Sequence, residues 1–295
     1  MKQDQKPIVN SDLIGDFITI ELPGFPGKQA KPEPCRVHYL TMGSGEPLLL
    51  VHGIGQSIYT WRELMPLLAE SYCVIAIDLP GFGFSDRPLS LNYSMDETAD
   101  ILVKCLDALG VKKTHLLGVT TGAVYAMHAA AKFPDRFMKA IALTPGGITE
   151  QMPKKLRRLE KPLGPFYREM YAKKDFKKYL PDFYYDGTVC TPEVVSQVFK
   201  TCDDHASRQA IMYAVRNFDF EYTLETVRNN EREFFVIWGE EDRMNPMENL
   251  FALRERLPKS VYHSIRNTGH WPHEEKAAQV AEAVDRYIRY EGDAQ

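Results

Sequence analysis

Apolar runs of strand length recur along this chain, separated by segments whose apolar residues fall three and four apart. EPLLLVHG (46–53), YCVIAIDLP (72–80), THLLGVT (114–120), FMKAIALTP (137–145) and EFFVIWGEED (233–242) lack strict alternation, the pattern of strands covered on both faces. Between them, TWRELMPLLAES, MDETADILVKCLDALG and TGAVYAMHAAAKFP carry helical spacing and stop at glycine or before proline. This beat predicts an α/β fold with a mostly parallel central sheet and helices on both faces. From Glu233 it continues through PMENLFALRERL, a strand VYHSIRN and a final helix from about Pro272 to Tyr290. Ahead of it, FITIEL and CRVHYLTM flank a Pro/Gly-rich connection and predict an antiparallel hairpin at the sheet edge.

The beat stops from about Ile148 to Arg232, a stretch too long for a loop, helical in pattern and rich in Tyr and Phe. Three segments follow: a first part of the core (1–147), an inserted helical cap (148–232) and a second part of the core (233–295). Between Lys154 and Lys178, ten Lys or Arg stand against three acids. That excess suits an anionic substrate, a carrier protein or a membrane surface, and equally a solvated face of cap helices. Cap aromatics such as Phe183, Tyr184 and Phe218 suit a pocket lining or plain packing.

Composition narrows the partners. A formal net charge of -4 with 44% apolar and 26% charged residues is unlike a disordered chain or a nucleic-acid-coating surface. The N-terminus has no apolar run of signal-peptide length, and no uncharged run approaches the roughly 18 residues that span a bilayer. A cytoplasmic protein with a small-molecule substrate, in part apolar, is expected; nucleic acid is not, and the oligomeric state is left open. The five cysteines are scattered and lack C-x-x-C spacing, so neither disulfides nor a zinc site is expected. His273 lies three positions beyond His270, but no further ligand set stands at zinc spacing. Gly81-Phe82-Gly83 lacks the third glycine of a dinucleotide loop, because Asp86 stands there, and no cofactor is expected.

The chemistry concentrates in GVTTG (118–122), which has the frame of a G-x-S-x-G nucleophile elbow with Thr120 where serine is usual. In an elbow a strand turns sharply into a helix, and the central residue sits at a strained positive φ that pushes its oxygen clear of the sheet. A β-branched residue there costs ~1–2 kcal/mol more than a less crowded one. Two more signals follow: Asp242 in the turn after the strand ending at Trp238, and His270 in the loop NTGHWPHEE after the last strand. A hydroxyl is a poor nucleophile near neutrality and needs a base within reach, and the base needs an orienting carboxylate.

LLLVHGIGQS, IDLPGFGFSDRP, GVTTG, GEEDR and GHWPHEE, in that order and each at a strand end, resemble the motif set of the α/β-hydrolase superfamily over nearly the whole chain. The resemblance implies Thr120, Asp242 and His270 as nucleophile, acid and histidine, with the backbone N–H groups of Ile54 and Thr121 as the oxyanion hole. His52 is then structural. It implies a hydrolase that cleaves an ester or similar activated carbonyl through a Thr-Asp-His variant of the triad. Two alternatives stand beside it. One is non-hydrolytic acid/base chemistry (lyase, isomerase or cofactor-independent oxygenase) by His270 with Asp242, where Thr120 only donates a hydrogen bond; the other is a weakly catalytic, ligand-binding relative.

Overall fold

The computed structural model describes residues 15–24, 31–147, 180–202 and 204–289. The basic stretch 154–178 and the cap aromatics from Phe166 to Tyr179 lie outside the described residues. One eight-stranded sheet organises the rest: β1 (Asp16–Leu22), β2 (Glu33–Met42), β3 (Glu46–Val51), β4 (Tyr72–Ile77), β5 (Thr114–Val119), β6 (Phe137–Leu143), β7 (Phe235–Gly239) and β8 (Val261–Ile265). Their spatial order is β1-β2-β4-β3-β5-β6-β7-β8. β1 and β2 pair antiparallel as the edge hairpin predicted above, β2 joins β4 antiparallel, and every other pairing is parallel. All six residues of β5 and all five of β7 are buried, as central strands of a sheet covered on both faces require.

The helices fall where the spacing predicts, with two corrections. α2 (Met95–Ala108) starts at a Ser94 side-chain cap and α3 (Thr121–Lys132) stops before Pro134. TWRELMPLLAES, by contrast, is not one helix: Ile58–Trp61 is a 3-10 turn, and α1 runs only from Leu64 to Leu68. Pro66 explains the break, since its ring clashes with the carbonyl four residues back, whereas a first-turn proline gives up an N–H that had no partner. The last helix is also divided, into α8 (Pro272–Glu275) and α9 (Ala277–Arg289), by Lys276 at φ −133°, ψ 44°. Its expected last residue, Tyr290, lies outside the described residues. Between β6 and β7 the described residues form two 3-10 turns, Leu180–Phe183 and Gly187–Val189, and the helices α4 (Pro192–Lys200), α5 (His205–Asn217) and α6 (Phe220–Asn229). α6 packs its buried Thr223, Leu224 and Val227 toward α3. α7 (Met247–Arg256) follows β7. Among the described residues no helix is long and apolar enough to cross a membrane.

Candidate active site

β3, β5, β6, β7 and β8 run parallel, so their carboxyl ends meet along one edge of the sheet, the edge at which open α/β sheets place ligands. Thr120 stands there between the last residue of β5 and the first of α3, at φ 52°, ψ −119°. Its neighbours dictate that conformation. Thr120 N donates to Leu143 O over 3.0 Å, while Thr120 O accepts from Ala123 N and Gly146 N, each at 3.1 Å. The flanking glycines are required by contact. A Cβ on Gly118 would lie 2.3 Å from Gly122 O, and one on Gly122 would lie 2.3 Å from His52 O. Thr120 is the half-buried apex of this turn.

The loop after β7 carries three acids, and geometry separates them. Glu240 accepts from Ser264 Oγ (2.8 Å) and Glu241 from Thr268 N (3.0 Å), while Asp242 Oδ2 receives His270 Nδ1 at 2.7 Å. The other oxygen of Asp242 accepts from Met244 N and Asn245 N, both at 2.8 Å, so the carboxylate is buried and held at both oxygens. Asn245 ties this turn back to the elbow side by donating to Pro145 O (2.8 Å), and its own carbonyl accepts from Trp238 Nε1 (2.8 Å). A carboxylate only accepts, so Nδ1 of His270 carries the proton and Nε2 is left as the basic nitrogen.

His270 is held by its backbone as well. Its N–H donates to Phe183 O (2.7 Å), and its carbonyl accepts from Thr144 Oγ1 (2.8 Å). Thr144 is itself at φ 41°, fully buried, with its N–H bonded to Ile237 O (2.8 Å). The Phe183 ring stands edge-on to the imidazole with centroids 5.6 Å apart.

The predicted oxyanion loop is rigid. Leu79 N donates to His52 Nε2 (3.0 Å), which leaves the His52 Nδ1 proton to donate to Gly53 O (2.8 Å). Burial lowers the pKa of this imidazole, in keeping with a neutral structural histidine. Gly53 N is taken by Gln56 Oε1 (2.8 Å), and Ile54 N donates to Thr121 Oγ1 (2.7 Å). The N–H of Thr121 is among the opening amides of α3 that have no partner inside the helix.

Sequence reasoning missed a buried network beside the histidine. Glu274 Oε2 accepts from Arg62 Nη2 and from Tyr184 Oη, each at 2.7 Å, and Oε1 accepts from Thr60 Oγ1 at 2.7 Å. Burial would raise this carboxyl, but Arg62 and the hydrogen bonds outweigh it and hold the pKa below the ordinary range. Thr60 gives its one proton to Glu274, so His273 Nε2, 2.7 Å from the same oxygen, must be the donor there. The bare Nδ1 of His273 is buried without a partner, and burial pushes the pKa down to about 3. Glu275 accepts from Gly269 N (2.7 Å), Tyr185 N (2.8 Å) and Asp186 N (3.2 Å). Together these two acids fasten the segment 183–186 to the His270 loop.

A second His–Asp pair, His38 Nδ1 to Asp78 Oδ2 at 2.7 Å, borders a cavity of about 290 Å³. It is a structural knot. Asp78 also accepts from Ile58 N and Phe84 N, and Gly15 N donates to His38 Nε2, so neither nitrogen of that ring is left for chemistry. Among the described residues no group of His, Cys, Asp or Glu is arranged to hold a metal ion.

The chain matches the model of the "Alpha/beta hydrolase family" over residues 48–283. It is 31% identical over 277 residues to a 2-hydroxy-6-oxononadienedioate/2-hydroxy-6-oxononatrienedioate hydrolase of Pseudomonas putida, covering 86% of this chain and 92% of that one. It is 28% identical over 254 residues to an uncharacterized hydrolase of Bacillus subtilis (strain 168), YugF, covering 85% and 93%. A meta-cleavage product hydrolase from Pseudomonas fluorescens IP01 has the same fold, with a TM-score of 0.75 at 24% identity over 94% of this chain and 98% of that one.

Proposed function

Because the chain belongs to the alpha/beta hydrolase family, we propose that it hydrolyses an activated carbonyl compound with Thr120 as nucleophile, His270 as base and Asp242 as the group that orients the imidazole. The observation that carries this reading is the contact of His270 Nδ1 with the immobilised Asp242 carboxylate at 2.7 Å, which leaves Nε2 as the nitrogen able to take a proton. In the first step the Thr120 oxygen bonds to the carbonyl carbon as its proton passes to His270 Nε2. The carbonyl oxygen becomes an oxyanion that faces main-chain donors, Thr121 N and Ile54 N. The protonated imidazole then gives its proton to the departing group. Water, activated by the same nitrogen, finally releases the acyl group from Thr120.

Two carbonyl classes fit. An ester loses an alcohol. A ketone of the 2-hydroxy-6-oxo acid kind named for the Pseudomonas putida relative has no such group, so hydrolysis there breaks a carbon–carbon bond. The relatives' names favour the second class. The test is a fluorophosphonate probe, with peptide mass mapping for the adduct, beside turnover of p-nitrophenyl acetate and of 2-hydroxy-6-oxo-2,4-heptadienoate. An adduct on Thr120, lost in His270→Ala, supports the nucleophile; a folded protein that forms none sinks it.

A second reading keeps His270 and Asp242 as a base pair and leaves Thr120 a hydrogen-bond donor only. The observation in its favour is that Ile54 N is already bonded to Thr121 Oγ1. Under it, Thr120→Ala retains turnover and His270→Ala does not.

A further inference from the structure

The side chain after the elbow residue does something that the motif frame does not require. Ile54 N donates to Thr121 Oγ1 over 2.7 Å, and a Cβ placed on Gly53 would come within 2.2 Å of Thr120 Oγ1 and 3.3 Å of Thr121 Oγ1. The two hydroxyls therefore converge on the same glycine, and one of them sits where an acceptor oxygen of a substrate would sit. We propose that Thr121 Oγ1 is a built-in occupant of the oxyanion site, an internal stand-in for the carbonyl oxygen that must swing away before a substrate can use Ile54 N. This rests on the reading of Ile54 N as an oxyanion donor.

The loop cannot relieve the competition by moving. Both nitrogens of His52 are bonded, Gly53 N is held by Gln56 Oε1, Gln56 N donates to Gly53 O (3.1 Å), and Ile58 N is anchored on Asp78 Oδ1 (2.7 Å). The freedom lies in one torsion, χ1 of Thr121. A threonine on a helix divides between two χ1 states, and as the first residue of α3 it has no preceding helical turn to collide with.

This device sorts acceptors by charge. A neutral carbonyl competes with a neutral hydroxyl on nearly equal terms and gains little from displacing it. An oxyanion makes a charge-assisted bond roughly twice as strong, so it wins. Displacement thus favours the transition state over the bound substrate, the direction in which binding raises turnover. A resting site also keeps the amide of buried Ile54 paired, which spares it the cost of a buried donor without a partner.

The experiment uses the full chain labelled with 15N-isoleucine, and reads the Ile54 amide while phenylacetate, an unreactive carboxylate, is titrated in. In Thr121→Ala the free amide resonance shifts from its parental position, and phenylacetate binds about 3–10-fold more tightly, the size of one net hydrogen bond. Thr121→Ser keeps the hydroxyl, so its Ile54 resonance and its affinity stay with the parent. Equal or weaker binding in Thr121→Ala, including no response of Ile54 in either protein, overturns the proposal. An equal gain in Thr121→Ser overturns it too, since the methyl group would then be the obstruction. The readout does not depend on covalent chemistry. Failure of Thr120 to react with a fluorophosphonate strikes the nucleophile assignment, whereas an unmoved Ile54 amide strikes this one.

Discussion

Thr144 Oγ1 donates to the main-chain carbonyl of His270 over 2.8 Å, joining the end of β6 to the loop beyond β8. Thr144 holds φ 41° to do so. Replacing it with valine keeps the shape and leaves the buried carbonyl without its donor, at a cost of about 1–3 kcal/mol in stability. Freed on one side, His270 spends less time facing the substrate, so Thr144→Val should lower kcat by about tenfold with little change in KM. Thermal unfolding and steady-state kinetics check the two parts separately.

Asp242→Asn retains the volume of the carboxylate but presents an amide with only one accepting oxygen. That oxygen stays with Met244 N and Asn245 N, and the NH2 turns toward Nδ1, forcing the proton of His270 onto Nε2. A base in the wrong tautomer costs ~10^3–10^4 in kcat. A variant that keeps more than a tenth of the parental rate would remove Asp242 from the reaction.

Thr120→Gly removes the β-branched side chain from φ 52°. The relief of about 1–2 kcal/mol exceeds the extra entropy that glycine gives the unfolded chain, so the variant should be more stable by about 0.5–1 kcal/mol. It should also be inert. A stabilised, inactive protein in denaturant melts and activity assays is the signature of a residue kept for its chemistry at the expense of its conformation.

Glu274→Ala leaves Arg62 buried beside a hole, and the loss should reach about 3–5 kcal/mol. Tyr184→Phe is milder and more informative. It removes one donor from Glu274 and keeps the ring that packs on Trp271 with centroids 5.2 Å apart. We expect a loss of about 1 kcal/mol in stability. A larger proportional fall in kcat should accompany it, because the segment that carries Phe183 O also fixes His270 N.

His273 gives a pH dependence with a definite sign. Its pKa falls from the ordinary 6.5 to about 3 on folding, with burial as the main cause. Between those values the unfolded chain binds a proton that the folded protein refuses, so stability is complete above pH 6.5 and drains away as pH falls toward 3. Glu274, held ionised below its ordinary range, adds to the loss at the acid end. Urea midpoints measured from pH 7.5 to pH 4 should decline for the parent, and His273→Gln should flatten the upper part of that decline.

Much of this was readable in the letters. Strands buried on both faces announce themselves as apolar runs, and the order GVTTG, GEEDR, GHWPHEE follows the carboxyl edge of the sheet. What the letters withheld were contacts between distant positions. Nothing near Glu274 reveals that Arg62 and Tyr184 are its partners, 212 and 90 residues away. No local pattern gives Thr144 its positive φ, since a threonine at a strand end is ordinarily extended. Glu240, Glu241 and Asp242 are adjacent letters, and only the contacts of Ser264 and Thr268 with the first two set the third apart. The split of the last helix at Lys276 had no glycine or proline to mark it.

The groups gathered on the carboxyl edge come from opposite ends of synthesis. The elbow needs only residues up to Gly146, whose N–H closes on Thr120 O, whereas Asp242 and His270 belong to the last sixty residues. A ribosome that has released everything before β7 has therefore made the proposed nucleophile without its proposed base, and Thr144 with neither Ile237 nor His270 to hold it. Under the proposed roles of Thr120, Asp242 and His270, a chain that ends before β7 holds the elbow alone, and the set is complete only when the last two strands are in place.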